Sequence, residues 1–109
     1  MSPERLQPGK KHIEQRSLAM HRLIADKIRN DPALFDHVFD NLERWKTRVC
    51  VATQPYLREW ERLARQGIEP CLVVATEDSE HAATLRQSSP FAGVLTDKER
   101  FAFFSGENP

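Results

Sequence analysis

Ser88 and Ser89 come nearest to catalytic chemistry by type and setting. They follow His81 by seven and eight positions, about two turns along one helix. A serine hydroxyl becomes a nucleophile when a histidine removes its proton and a third group orients that histidine. Donors for the developing oxyanion must converge on the same point. No orienting group or oxyanion element accompanies these serines. The simpler reading is that Ser88 and Ser89 close a helix end before Pro90, while Arg86 and Gln87 offer donors to a partner.

Other chemistries are equally poorly furnished. His12, His21, His37 and His81 are scattered, with no pair at the i, i+4 spacing of a metal-binding helix. Cys50 and Cys71 form no C-x-x-C, and two thiols in a cytosolic chain act more often as small hydrophobes than as a bridge. The glycines at 9, 67, 93 and 106 are too far apart for a phosphate-cradling loop. The expectation is a protein with no catalytic site, no metal and no cofactor. Trp45, Tyr56 and Trp60 could line a ligand pocket, but their helical spacing reads as core.

Charge is balanced overall and unevenly placed. Residues 1–30 carry seven Lys/Arg against three Asp/Glu, and the remainder carries the opposite excess. Such a segment is either a solvated helix or a basic arm that meets an acidic surface or nucleic acid. Arg16, Arg22, Lys27 and Arg29 could reach phosphates. The following helix is acidic and apolar, however, whereas a base-reading helix wants Arg, Asn and Gln. Nucleic-acid binding is therefore expected to be weak or absent. No apolar run approaches the ~20 residues that span a bilayer, and Met1–Arg5 is not a secretory leader. No membrane partner and a cytoplasmic location follow as expectations. At 109 residues the core is modest, so a homodimer or bound partner would help it.

These residues must be positioned by helices. The pattern predicts an all-α fold, a compact bundle of five to six helices, with a flexible basic tail over 1–11 and a single domain over 12–105. Ile13, Ser17, Met20, Ile24 and Ile28 form the stripe of a first helix over about 13–29; Leu23 widens it and Leu18 falls off it. Asp31-Pro32 caps and opens a second helix to about Arg48, with Phe35, Val38, Leu42, Trp45 and Val49 as its seam. Thr53-Gln54-Pro55 opens a third, with Leu57, Trp60 and Ala64 inward. Gly67 stops it, and Ile68 folds back. Cys71–Ala75 reads as a short buried helix because no second strand exists to pair with it. Asp78 caps a fifth helix over 79–87. Thr96-Asp97-Lys98-Glu99 is a capping box opening a last helix to Phe104, with Phe101 and Phe104 toward the core. Residues 105–109 are expected to fray.

Between the last two helices runs Arg86-Gln87-Ser88-Ser89-Pro90-Phe91-Ala92-Gly93-Val94-Leu95. A loop this apolar must fold back onto the body or dock on a partner, because each large side chain left in water forfeits roughly 1.5–3 kcal/mol. Phe91 either anchors an interface or seals the core.

Three segments carry a resemblance. They are Ser17–Ala25 with Ile28–Pro32, Tyr56–Trp60, and the run L-R-Q-S-S-P-F-A-G-V-L from Leu85 to Leu95. Over about residues 13–104 the chain resembles a group of small, mostly uncharacterised bacterial helical proteins. Some of these look like antitoxins encoded beside nucleotidyltransferase-type toxins. The resemblance implies a non-enzymatic protein that masks its toxin's active site and holds no nucleotide site itself. The expected function is that of an antitoxin acting on a cognate toxin by direct binding and occlusion. The alternative is a DNA-binding or transcriptional accessory protein. The residues expected to contact the partner are Arg22, Arg29, Arg86, Gln87, Ser88, Ser89 and Phe91.

Overall fold

Proline sets three of the helix starts. Its missing N–H costs nothing in a first turn, and its fixed φ already suits one. A computed structural model describes residues 8–48 and 50–104. Among these there are six α-helices and no strand. Helix α1 spans Pro8–Asn30. A 3-10 turn at Pro32–Phe35 leads into α2, Asp36–Trp45, and another at Val51–Thr53 into α3, Gln54–Gln66. Then come α4, Ile68–Ala75, α5, Glu80–Arg86, and α6, Asp97–Phe104. No described helix is long and apolar enough to cross a membrane.

Helix α1 begins earlier than the stripe predicts. Residues 8–11, expected in the tail, are helical, because Pro8 takes the first helical position and Lys10 and Lys11 are good helix formers. The rest of the expected tail, Val49 and residues 105–109 lie outside the described residues. The buried side of α1 is also rotated. Leu18, His21, Ile24, Ala25 and Ile28 face inward, whereas Leu23 and Ile13 are exposed. Leu18 is thus buried although it falls off the predicted stripe. Helix α5 packs against α1 on that side, with Leu18 at the cleft between them.

The α2 seam is buried at three of its four described positions and the α3 stripe throughout, and α2 ends at Trp45, short of the expected Arg48. Phe35, Val38 and Leu42 are buried, as are Leu57, Trp60, Leu63 and Ala64. Trp60 is fully enclosed, while Trp45 packs only partly buried at the core edge. Helix α4 contacts α1, α3 and α5 and buries Cys71, Leu72 and Ala75. That central place explains a helix apolar on most sides.

Caps depart from expectation at four points. Neither Asp31 nor Thr53 caps with its side chain; the Asp31 N–H closes α1 on the Lys27 and Ile28 carbonyls, and Thr53 Oγ1 lies 3.4 Å from Cys50 Sγ. Ser79, not Asp78, caps α5, its hydroxyl accepting the Ala82 N–H at 3.1 Å. Gly67 ends α3 with φ 138° and serves at once as the N-cap of α4, so Ile68 starts that helix and does not fold back.

Helix α6 is turned the other way from the expectation. Its capping box is formed: the Thr96 N–H donates to Glu99 at 2.7 Å, and the Glu99 N–H donates to Thr96 Oγ1 at 3.1 Å. Lys27 on α1 holds the same carboxylate at 2.5 Å. Glu99, Ala102 and Phe103 then share the half-buried side at i, i+3, i+4 spacing. Phe101 and Phe104 must point away, and they are 68% and 49% exposed.

Candidate functional site

The segment from Leu85 to Leu95 has little regular backbone pairing, so its carbonyls need other donors. Side chains from three helices supply them. Trp60 Nε1 on α3 donates to the Leu85 carbonyl at 2.8 Å. Asn41 Nδ2 on α2 donates to the carbonyls of Pro90 and Ala92, at 2.9 and 2.8 Å. Lys27 Nζ on α1 donates to the Val94 carbonyl at 2.8 Å. Pro90, Phe91, Val94 and Leu95 are buried beneath these clamps. The Phe91 ring meets His21 and Trp60 edge-on, with centroids 5.7 and 5.6 Å away. Phe91 therefore seals the core and has no face left for a partner.

Ser89 does meet a histidine, but not His81, which is exposed on α5. Its Oγ lies 2.8 Å from His21 Nε2. The other ring nitrogen, Nδ1, lies 2.7 Å from the Ser17 carbonyl, which can only accept. Nδ1 must carry the proton, so Nε2 accepts from the Ser89 hydroxyl. Burial pushes the His21 pKa below its ordinary value; the bond to Ser17 opposes this and the nearby Arg86 charge adds to it. A neutral histidine holding a serine hydroxyl is the elementary nucleophile–base pair. Here Ser89 Oγ also accepts the Phe91 N–H at 3.4 Å, and the imidazole packs edge-on with the Phe91 ring. The pair ties the loop to α1.

The remaining predicted contact residues divide between places. Arg22, Arg86 and Gln87 share an open cleft of about 790 Å³ between α1 and α5. Ser88 and Ser89 line a smaller hollow of about 350 Å³ with Trp45 and Leu57, and Gln87 borders both. Arg29 stands apart from them: it grips Glu69 of α4 with Nε at 2.9 Å and Nη2 at 3.1 Å. Arg86 is only 6% exposed, and its Nη1 donates to the Ala75 and Glu77 carbonyls at 3.2 and 2.8 Å. It does not project as a free surface donor. Packing of α5 against α4 draws the guanidinium toward the carbonyls at and just beyond the end of α4.

A surface unmarked by the sequence lies where α1 meets α6. The Arg16 guanidinium sits 5.6 and 5.3 Å from the ring centres of Phe103 and Phe104, which meet each other edge-on at 5.4 Å. Exposed Phe101 extends the same helix. The FAFF run in the sequence was a signal of aromatic density, but not of its direction. Among the described residues no group of three His, Cys, Asp or Glu is placed to hold a metal. Burial pushes the Cys71 thiol up to about 12, which keeps it protonated and unreactive. Comparison with protein-family models, curated proteins and solved structures finds no match to this chain.

Proposed function

We propose that this chain is a non-catalytic, protein-binding inhibitor: an antitoxin that docks on a nucleotidyltransferase-type toxin and occludes its active site. The observation that carries the reading is α6, a helix of eight residues with three phenylalanines and none of its residues buried. Arg16 stacked on Phe103 and Phe104 adds a cation to that apolar face. Arginine beside aromatic rings is the composition of interface hot spots. The clamped loop beneath it supplies rigidity, so little ordering entropy is lost on docking.

The nucleic-acid alternative gains less support. Of the four cations that would meet phosphates, Lys27 is engaged with Val94 and Glu99, Arg29 with Glu69, and Arg16 with two aromatic rings. They do not form one continuous basic face. The test is co-expression with a nucleotidyltransferase-type protein encoded beside it. The pair should co-purify, and the toxin's activity should be suppressed in proportion to bound inhibitor. Arg16→Glu combined with Phe104→Ser should weaken binding at least tenfold with the fold intact. No complex, or a complex indifferent to both substitutions, overturns the reading.

A further inference from the structure

Arg86 carries an unmet hydrogen-bonding edge. Its Nη1 is satisfied by the two carbonyls at and beyond the end of α4, but its Nε is buried without any partner. An always-charged group with an orphaned buried donor calls for an explanation, because such groups are nearly always paired. Nε and Nη2 lie along one edge of the guanidinium, spaced to meet both oxygens of a carboxylate. This chain uses that edge twice. Arg29 holds Glu69 with it, and Arg62 holds Glu59 with Nε at 3.0 Å and Nη2 at 2.6 Å. In Arg86 the same edge holds no carboxylate.

The surroundings say what would fit. Arg86 lines the cleft of about 790 Å³ between α1 and α5, and Arg22, which makes no ion pair with the described residues, lines it too. The same cleft presents Glu14, Asp78 and Glu80. Arg22 and the open edge of Arg86 can take an acidic group, while Glu14, Asp78 and Glu80, the first two of which already face the Arg86 charge, repel a doubly charged one such as phosphate. A single carboxylate next to a cation satisfies both sets. The volume is in the range of ligand sites and far exceeds a lone ion. An open trough between two helices suits a short peptide.

We propose that the α1–α5 cleft is a peptide-binding site in which Arg22 and the Nε–Nη2 edge of Arg86 receive an acidic side chain, while Glu14, Asp78 and Glu80 receive an adjacent basic one. The site is independent of docking at α6. At 100° per residue, Leu18 and Arg22 lie across the axis of α1 from Arg16 and Lys27.

The test is a titration of the full chain, labelled with nitrogen-15, followed through the Arg86 Nε–H resonance. The probes are the blocked tetrapeptide acetyl-Ala-Glu-Lys-Ala-amide, its Gln-for-Glu and phosphoserine-for-Glu counterparts, and sodium acetate. The Glu–Lys peptide should move the Arg86 Nε–H and the amides of Ala83 and Gln87 saturably, at least ten times more tightly than acetate or the Gln peptide. Arg22→Ala should weaken it at least fivefold with the remaining spectrum unchanged. This exposed variant carries the test if Arg86→Lys, which disturbs the α4 carbonyls, fails to fold. Absence of saturable shifts, equal binding of the Gln peptide, tighter binding of the phosphoserine peptide, or indifference to Arg22→Ala each overturns the proposal.

Discussion

His21 and Ser89, 68 positions apart, share a hydrogen bond of 2.8 Å that ties α1 to the loop between α5 and α6. The neutral ring fixes the direction of this bond. With Nδ1–H committed to the Ser17 carbonyl, a neutral ring accepts from Ser89, and Ser89 keeps a lone pair for the Phe91 N–H. A charged ring would have to donate at Nε2 and would carry its charge in a site where it is only 5% exposed.

Stability should therefore fall as the pH drops through the histidine range. Burial lowers the folded pKa of His21 below its ordinary 6.5. Between the two values the unfolded chain binds more protons than the folded one, so stability is full above about 6.5 and declines toward the folded value. The carboxylates held low by Arg or Lys, such as Glu59, Glu61 and Glu99, act in the same direction but only below their ordinary 4.5. Urea midpoints measured at pH 7.5 and 5.5 should differ in the native chain and converge in His21→Gln. An equal pH dependence in the variant would assign the effect elsewhere.

Substitutions in the clamped loop should separate packing from bonding. Phe91→Ala should cost about 3–5 kcal/mol, because an enclosed ring is replaced by a cavity. Ser89→Ala should cost about 1–3 kcal/mol by leaving His21 Nε2 buried and unmatched. Denaturant unfolding read by Trp60 emission measures both. A loss below about 1 kcal/mol for Phe91→Ala would place the ring outside the core.

Gly93 adopts φ 93°, and a Cβ there would lie 3.3 Å from His37 Nδ1. Strain and contact act together, so Gly93→Ala should destabilise by more than about 1 kcal/mol. His37→Ala removes the contact and leaves the backbone strain. The double variant should recover part of the loss and no more. Full recovery would show that the backbone conformation itself imposes no penalty.

How far the sequence could be read depends on how far apart the interacting residues are. The Thr96–Glu99 box and the α2 seam of Val38 and Leu42 are local patterns, and both are present. Asn41 sits among those apolar positions, and a polar residue on a buried seam was a sign of a carbonyl waiting across the core. Nothing local announces that His21 serves Ser89. The register of α6 is hidden for a similar reason: Lys27, 72 positions from Glu99, fixes which side of that helix faces the body. The cleft was half legible. Arg22, Arg86 and Gln87 do come together, but the burial of Arg86 depends on carbonyls at the end of α4, which spacing alone does not reveal.

Exposed aromatics on α6 should be dispensable for folding and costly in water. Phe101 and Phe104 make little use of the core, so Phe101→Ser with Phe104→Ser should shift stability by no more than about 0.5 kcal/mol each, as ordinary surface substitutions do. The native rings, left without a partner, should instead drive association of the free chain through apolar contact. Sedimentation of the native chain should show concentration-dependent self-association that the double variant loses, and bound toxin should suppress it. Loss of stability by several kcal/mol in the double variant would mean that the rings pack against the body, and the docking face would have to lie elsewhere. A native chain that remains monomeric at high concentration would remove the apolar driving force from which docking at α6 is argued.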